Sequence, residues 1–412
     1  MIPLGLTSAE QAAFHRALVT DHDIDVRVSL LDLEEKWVGT LSGMLMGGQV
    51  VASDGEVSRT CQLSILDPQQ ETGIDSDRPG QAAGLARMIS VSYGVWVDEL
   101  DRWVRVPVFR GPIVKATRDG DMLEVEALGK EHLLRAKSPF TKAYEAGLRR
   151  TSVIADIAKR CGERQMHIPA QAAKTSKGSV MIQLDRNSVP WSEVVKAAKS
   201  MRMNLYYDGA GMLRLRRLPT RSSWSFREDQ LLSEPKVSLD DEDVINTVYV
   251  KGSPPEGKKD LIESRGYLPP WHAHSPQKLG RNGANRYLTE DIEDDEIRTQ
   301  AEADWARDQR LRELMVESYT VEFDCLPIPH LDRLDVAYLG WDLHPTTFRI
   351  TSFTLPLKAD ESMSVGYVKE TRRRGGPKWR PKPSRKKKTV KKSTAKTSGS
   401  KATSGRATSG RL

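Results

Sequence analysis

Cysteine is nearly absent from this chain. Cys61, Cys161 and Cys325 are odd in number and far apart in 412 residues, which excludes a disulfide framework and a zinc-finger spacing. Cys61 falls in an alternating strand and Cys161 on an apolar helix face, so both read as small buried hydrophobes. No apolar run approaches the roughly 20 residues that span a bilayer, and residues 1–10 lack the charged and apolar stretches of a secretory signal. A soluble chain made in a cytoplasm, with no membrane segment, is the expectation. Acidic residues are missing altogether from 371–412, which hold 16 Lys and Arg. The net charge of +7 is therefore a composite: residues 1–370 carry 47 basic and 56 acidic side chains, a net of −9. Overall charge is thus no argument for nucleic-acid binding by the acidic body; any such argument rests on the tail.

What is present is periodicity. Residues 188–218 read as one unit: Ser188 caps a helix, Pro190 suits its first turn, and Trp191, Val194, Val195, Ala198 and Met201 share one face. A hairpin follows, 204–207 and 212–216 around Asp208-Gly209-Ala210-Gly211, with Leu213 and Leu215 facing inward. Towards the N-terminus, Thr7 or Ser8 with Glu10 predicts a capped short helix. Strands are expected at 25–31 and 57–66, with Gly47-Gly48 and Asp54-Gly55 as punctuation and a loop at 67–87. A hairpin spans 103–128 around Asp119-Gly120. Such short strands point to a small antiparallel barrel or sandwich. Thr151 is expected to cap a second helix carrying Ile154, Ile157, Ala158 and Cys161 before Gly162. Beyond it come a strand at 244–251, an exposed loop at 253–288 and a long helix at 289–315. Six acids, Glu290, Asp291, Glu293, Asp294, Asp295 and Glu296, would open that helix, with Arg307, Arg310 and Arg312 towards its end. Its face of Ile297, Ala301, Trp305, Leu311 and Met315 would pack on a sheet. Final strands are expected at 317–326, 334–339 and 347–357, and the tail cannot bury a core and is expected to be disordered.

Scans for chemistry return little. Gly129-Lys130 is followed by Glu131 and lacks the upstream glycine of a phosphate-binding loop, and no nucleophile elbow, zincin helix or Cys-x2-Cys pair occurs. His272-Ala273-His274 supplies two of the three or four ligands that zinc needs, so an exposed loop pair is the preferred reading and no metal or cofactor is expected. Asp240-Asp241-Glu242-Asp243 lacks the alternating oxygens and central glycine of a calcium loop and reads as a solvated turn. Carboxylate pairs for glycoside cleavage depend on separation in space and stay open. Arg385, Lys386, Lys387, Lys388, Lys391 and Lys392 are the candidates for anion or partner docking, with Trp379 available for stacking. A solubilising tail, or one that docks on an acidic neighbour, explains them equally.

The order of these pieces resembles the tail hub (baseplate hub, or tail-associated minor tail protein) of long-tailed bacteriophages across about residues 20–370. The resemblance is carried by Arg110-Gly111-Pro112-Ile113-Val114, by 191–216 with Tyr207-Asp208-Gly209-Ala210-Gly211, and by Asn246-Thr247-Val248-Tyr249-Val250-Lys251-Gly252. Asp324-Cys325-Leu326-Pro327-Ile328-Pro329 leading to Leu334-Asp335-Val336 completes it, with Leu334 where such hubs often have glycine. The resemblance implies an α+β, β-rich multidomain chain. Two antiparallel barrel-like tube domains, 1–138 and 229–370, would flank a small α/β region at 139–228, ahead of the tail at 371–412. It implies a structural, non-enzymatic homotrimeric ring at the virion tail tip, assembled in the host cytoplasm. Such a ring closes the distal end of the tail tube and contacts the distal tail protein, the tape-measure protein and tip or receptor-binding proteins. An electronegative lumen that lets DNA pass would suit the acidic body. The absence of a lysin domain after residue 370 argues against wall-degrading activity. Two alternatives are kept: a hub-embedded cell-wall hydrolase, and a nucleic-acid-binding protein acting weakly through its basic tail.

Overall fold

Period-two alternation runs through most of the chain, and the fold is accordingly built on strands. The computed structural model describes residues 1–41, 43–53, 57–68, 86–138, 140–145, 147–169, 182–238, 244–254, 261–295, 297–315, 317–340 and 346–371. Helix α1 (Ser8–Ala17) begins on the expected capping box, with Thr7 N–H donating to Glu10 Oε2 at 2.8 Å, and buries Phe14. Seven strands follow: β1 (Ile24–Asp32), β2 (Trp37–Thr40), β3 (Met44–Ala52), β4 (Arg59–Leu66), β5 (Arg87–Val97), β6 (Arg102–Asp119) and β7 (Met122–Leu128). Strand β5 is buried on both faces along most of its length, so it shows little alternation in sequence. Gly47-Gly48 does not separate strands but lies inside β3, where the ladder to β4 shifts register between Leu45 and Gly47. A glycine-permitted bulge and a turn look alike in sequence. Asp54-Gly55 and most of the 67–87 loop lie outside the described residues.

The middle of the chain forms a separate small core. It contains β8 (Lys142–Tyr144), α2 (Arg150–Arg160), β9 (Met166–His167), β10 (Ile182–Leu184), α3 (Pro190–Ser200) and the hairpin β11 (Asn204–Tyr207) and β12 (Leu213–Arg216). Val153, Ile154, Ile157 and Ala158 of α2 pack with Val194, Ala197 and Ala198 of α3 and with Leu213 and Leu215. The expected caps are corrected. Ser188 is not the N-cap of α3; Val189 is, and Ser188 Oγ donates instead to Asp185 Oδ1 at 3.0 Å in a local turn. Thr151 lies inside α2, 4% exposed, with Arg149 at the cap.

The last third holds β13 (Trp224–Arg227), β14 (Lys236–Ser238), β15 (Thr247–Gly252), β16 (Ile262–Tyr267), β17 (Thr289–Asp294), α4 (Gln300–Leu314), β18 (Glu317–Cys325), β19 (Val336–Gly340), β20 (Thr346–Pro356) and β21 (Met363–Thr371). Two expectations fail here. The stretch 253–288 contains β16, which pairs antiparallel with β15. The helix expected at 289–315 starts only at Gln300, capped by Thr299 and Glu302, because 289–294 is β17, parallel to β15. Glu290, Asp291, Glu293 and Asp294 thus belong to a strand, not to a helix dipole, while Asp295 lies in the turn after it and Glu296 outside the described residues. Helix α4 buries Ala303, Arg307 and Leu311, while Ala301 and Trp305 of the expected face are exposed. Gly266 of β16 makes room for it, since a Cβ there would sit 2.6 Å from Arg307 Cδ.

Thirteen strands form one sheet whose path runs β14-β18-β21-β20-β3-β4-β7-β6-β5-β1-β2, with β13 and β19 attached through β20. Strand β20 pairs with β3 from Phe353↔Ala52 to Pro356↔Gln49, joining strands from the two ends of the sequence. The path has two ends, so no closed barrel forms among the described residues; the class is α+β and β-rich. One apolar core serves the whole sheet, from Phe14, Tyr93 and Phe109 to Phe226, Phe323 and Phe348, with Phe348 and Tyr367 stacked at 4.0 Å.

Candidate functional site

Four stretches of sequence, at 35, 110–131, 163 and 207–211, meet at a buried charged junction. Lys130 follows β7 on a turn of 3-10 helix (Lys130–Leu134) and is 2% exposed. Its ammonium donates to Glu35 Oε1 at 2.5 Å, Glu163 Oε2 at 2.7 Å and Gly211 O at 3.0 Å, which uses all three of its donors. Tyr207 donates to Glu163 Oε2 at 2.8 Å, and Arg110 of β6 pairs with Glu35 at 3.1 Å. Burial, then the Glu163 charge, pushes the Tyr207 phenol well up. Neighbouring Glu131, fully buried and hydrogen-bonded to Ser58, has its carboxyl pushed up by burial. The β11–β12 turn is seated on β6. Asp208 Oδ1 accepts from Ala210 N–H and Met212 N–H at 3.0 Å each, and Gly209 lies so close to Pro107 O that a side chain has no room. Two of the sequence pieces that carry the hub resemblance, 110–114 and 207–211, are therefore neighbours in space. With the Lys130 ammonium fully engaged, this cluster fastens the α2–α3 module to the sheet and presents no free ammonium proton to a substrate.

A second buried cluster ties the C-terminal third to the N-terminal strands. Arg59 of β4 pairs with Asp332 at 2.6 Å and donates to Val108 O at 3.1 Å. Asp335 accepts from Asp332 N–H at 2.9 Å, pairs with Arg216 at 3.4 Å and contacts the Met1 amine; burial pushes its carboxyl up against those cations. Leu334, the residue standing where glycine was anticipated, has φ +71°, a left-handed turn conformation that costs a non-glycine residue energy.

Exposed apolar side chains occur at both ends of the sheet path, as they do elsewhere at Met44, Leu261 and Trp305. Among the described residues β2 pairs only with β1, and β14 only with β18. Both ends carry solvent-facing apolar side chains: Trp37 (69% exposed) and Leu33 by β2, Val237 (65% exposed) and Leu232 by β14. Neither end was singled out in the sequence, because four- and three-residue strands carry too little alternation to register.

The candidate residues of the tail, Arg385, Lys386, Lys387, Lys388, Lys391 and Lys392, lie outside the described residues, as do Trp379 and Asp240 to Asp243. His272 is not exposed as expected: it is 2% exposed, accepting from His274 N–H at Nδ1 (3.1 Å), with Nε2 3.3 Å from Met315 O. The pair thus holds a loop against the end of α4. Among the described residues no cluster of three or more His, Cys, Asp or Glu is placed to hold a metal ion. The Cys61 and Cys325 thiols are buried and pushed up by that burial, so they behave as apolar groups.

No family model and no curated protein sequence matches the chain. Solved structures do. The 43 kDa tail protein of prophage MuSo2 from Shewanella oneidensis superposes with a TM-score of 0.56 at 12% identity, over 84% of this chain and 98% of that one. The tail protein from Neisseria meningitidis MC58 gives 0.54 at 8% identity, over 84% and 96%. The chain has the fold of these tail proteins.

Proposed function

We propose that this chain is a structural, non-enzymatic component of a phage-type tail, the hub at the tail tip, and that it works as a homotrimeric ring. The observation that carries the reading is the single sheet whose path ends in β2 and β14, each unpaired on one side among the described residues and carrying exposed apolar side chains. A sheet end of this kind invites another strand, and joining β2 of one copy to β14 of the next is a heterologous contact that closes only as a ring. Segments 1–138 and 229–370 would each supply one of two tube-like layers per copy, with 139–228 as the module between them. Such a ring would close the distal end of the tail tube. It would meet the distal tail protein and the tape-measure protein, and anchor tip or receptor-binding proteins. Support for a non-enzymatic role comes from the charged clusters, whose principal ion pairs are internal and buried. The basic tail favours one addition, a weak salt-sensitive contact with nucleic acid or an acidic neighbour.

Native mass spectrometry of the full chain, with imaging of the same fractions, tests the ring. The expected species is three times the 46.1 kDa protomer, lost on Val237→Asp at one sheet end. A chain that stays monomeric, or a trimer indifferent to substitutions at both ends, overturns the reading. Clearing of host peptidoglycan in a zymogram would replace it with the hydrolase.

A further inference from the structure

The short strand β13 has one side paired with β19 and, among the described residues, no strand on the other. A cleft of about 490 Å³ opens there, with His15 and Arg16 of α1 on one wall and the segment from Ser222 to Arg227 on the other. Trp224 and Ser225 point to opposite faces of the strand, the first buried and the second exposed, yet both line the cleft. The cleft therefore runs along the strand edge and not over one face. An edge strand facing a helix across a groove is the geometry in which an extended peptide adds as a further strand.

The lining selects what enters. No carboxylate contributes to it; the charged and strongly donating groups are Arg16, Arg227 and the Trp224 indole. Trp224 is 8% exposed, and its Nε1–H has no acceptor among the described residues. His15 packs edge-on to it at 5.0 Å and also leaves Nε2 without a partner. A buried donor left unpaired costs free energy that a ligand acceptor recovers. Arg16 is held by Glu99 at 2.5 Å, whereas Arg227 is exposed and pairs with Asp229 at the longer distance of 3.6 Å.

We propose that the cleft between α1 and β13 is a docking site for an extended acidic peptide segment of a partner protein, which adds as a strand to β13 and places a carboxylate on the Trp224 indole and Arg227. The inference stands on the cleft and does not depend on the ring.

The test uses the full-length chain and a fluorescein-labelled eight-residue peptide of alternating Glu and Val, with a Lys–Val peptide as counterpart. Fluorescence anisotropy should give saturable binding of the first and at least tenfold weaker binding of the second. Hydrogen exchange should show new protection confined to the amides of 222–227. Trp224→Phe, which keeps the ring and removes the donor, should weaken binding roughly tenfold. Arg227→Glu, at an exposed position where the fold is not at stake, should weaken it further. No saturable binding at millimolar protein, equal binding of both peptides, protection elsewhere than 222–227, or indifference to Arg227→Glu overturns the proposal.

Discussion

Helices α2 and α3 pack through Val153, Ile154, Ile157, Val194 and Ala198, whereas α4 lies on its three-stranded sheet through Ala303, Leu311 and the guanidinium of Arg307. That guanidinium donates to Ser264 Oγ at 2.7 Å and pairs with Asp304 at 3.2 Å and Asp308 at 2.6 Å. Both modules are helix-and-strand units of similar size, yet one is held by surface withdrawn from water and the other adds a buried polar network to apolar contacts such as Val248, Val250 and Ile297. The two should fail differently, and sequence periodicity displays the first and hides the second.

The largest expected effect lies where the apolar module joins the sheet. Lys130→Ala leaves Glu163 buried without its cation and Glu35 with Arg110 alone, and should cost about 3–5 kcal/mol in urea unfolding; a loss below 1 kcal/mol would mean that the module is not docked through that ammonium. Within the module, Ile157→Ala should cost about 3 kcal/mol, with no dependence on salt. Arg307→Ala should cost about 2 kcal/mol, because the acids it leaves behind still reach water, and the cost should shrink as salt screens them. Equal salt responses of the two variants would erase the contrast.

Acid separates the sheet from both modules. His330 is fully buried, and burial pushes its ring down to about 3. Its folded pKa lies below the unfolded value of about 6.5, so the unfolded chain takes up a proton that the folded chain refuses. The His330 contribution should therefore be constant above about pH 6.5 and fall by about 1.4 kcal/mol per pH unit below it, until the folded group also titrates near 3. His330→Phe should flatten that slope in thermal melts across pH 7 to 5. The smallest effect is Thr299→Ala at the start of α4, about 1 kcal/mol from the lost cap.

How much could be read in advance follows the same division. The stripe from Trp191 to Met201 and the hairpin at 204–216 appear where expected, because apolar spacing causes them. The pattern 290–295 misleads for a physical reason: the outer face of β17 meets water, so its acids suit a solvated strand as well as a helix start. Glu290 shows the difference, pairing with Arg310 across strand and helix at 2.8 Å. The junction was out of reach, since Glu35, Lys130 and Glu163 are brought together only by the path of β6 and the seating of the β11–β12 turn. Its one visible trace is the charged pair Lys130-Glu131 set among apolar neighbours, in a Gly129-Lys130 context that lacks the upstream glycine of a phosphate loop.

The pairing of β3 with β20 has a mechanical side. Because the sheet is continuous, a pull between its two end strands travels across every ladder in turn, as tension through plates riveted edge to edge. The rivet line from Gln49–Ala52 to Phe353–Pro356 is short beside the ladders of β1 with β5 and of β18 with β21. Under load between β2 and β14 those end strands, held by three pairs each, should peel first, and the body should then part along the four-pair lines of β3 with β20 and β20 with β21.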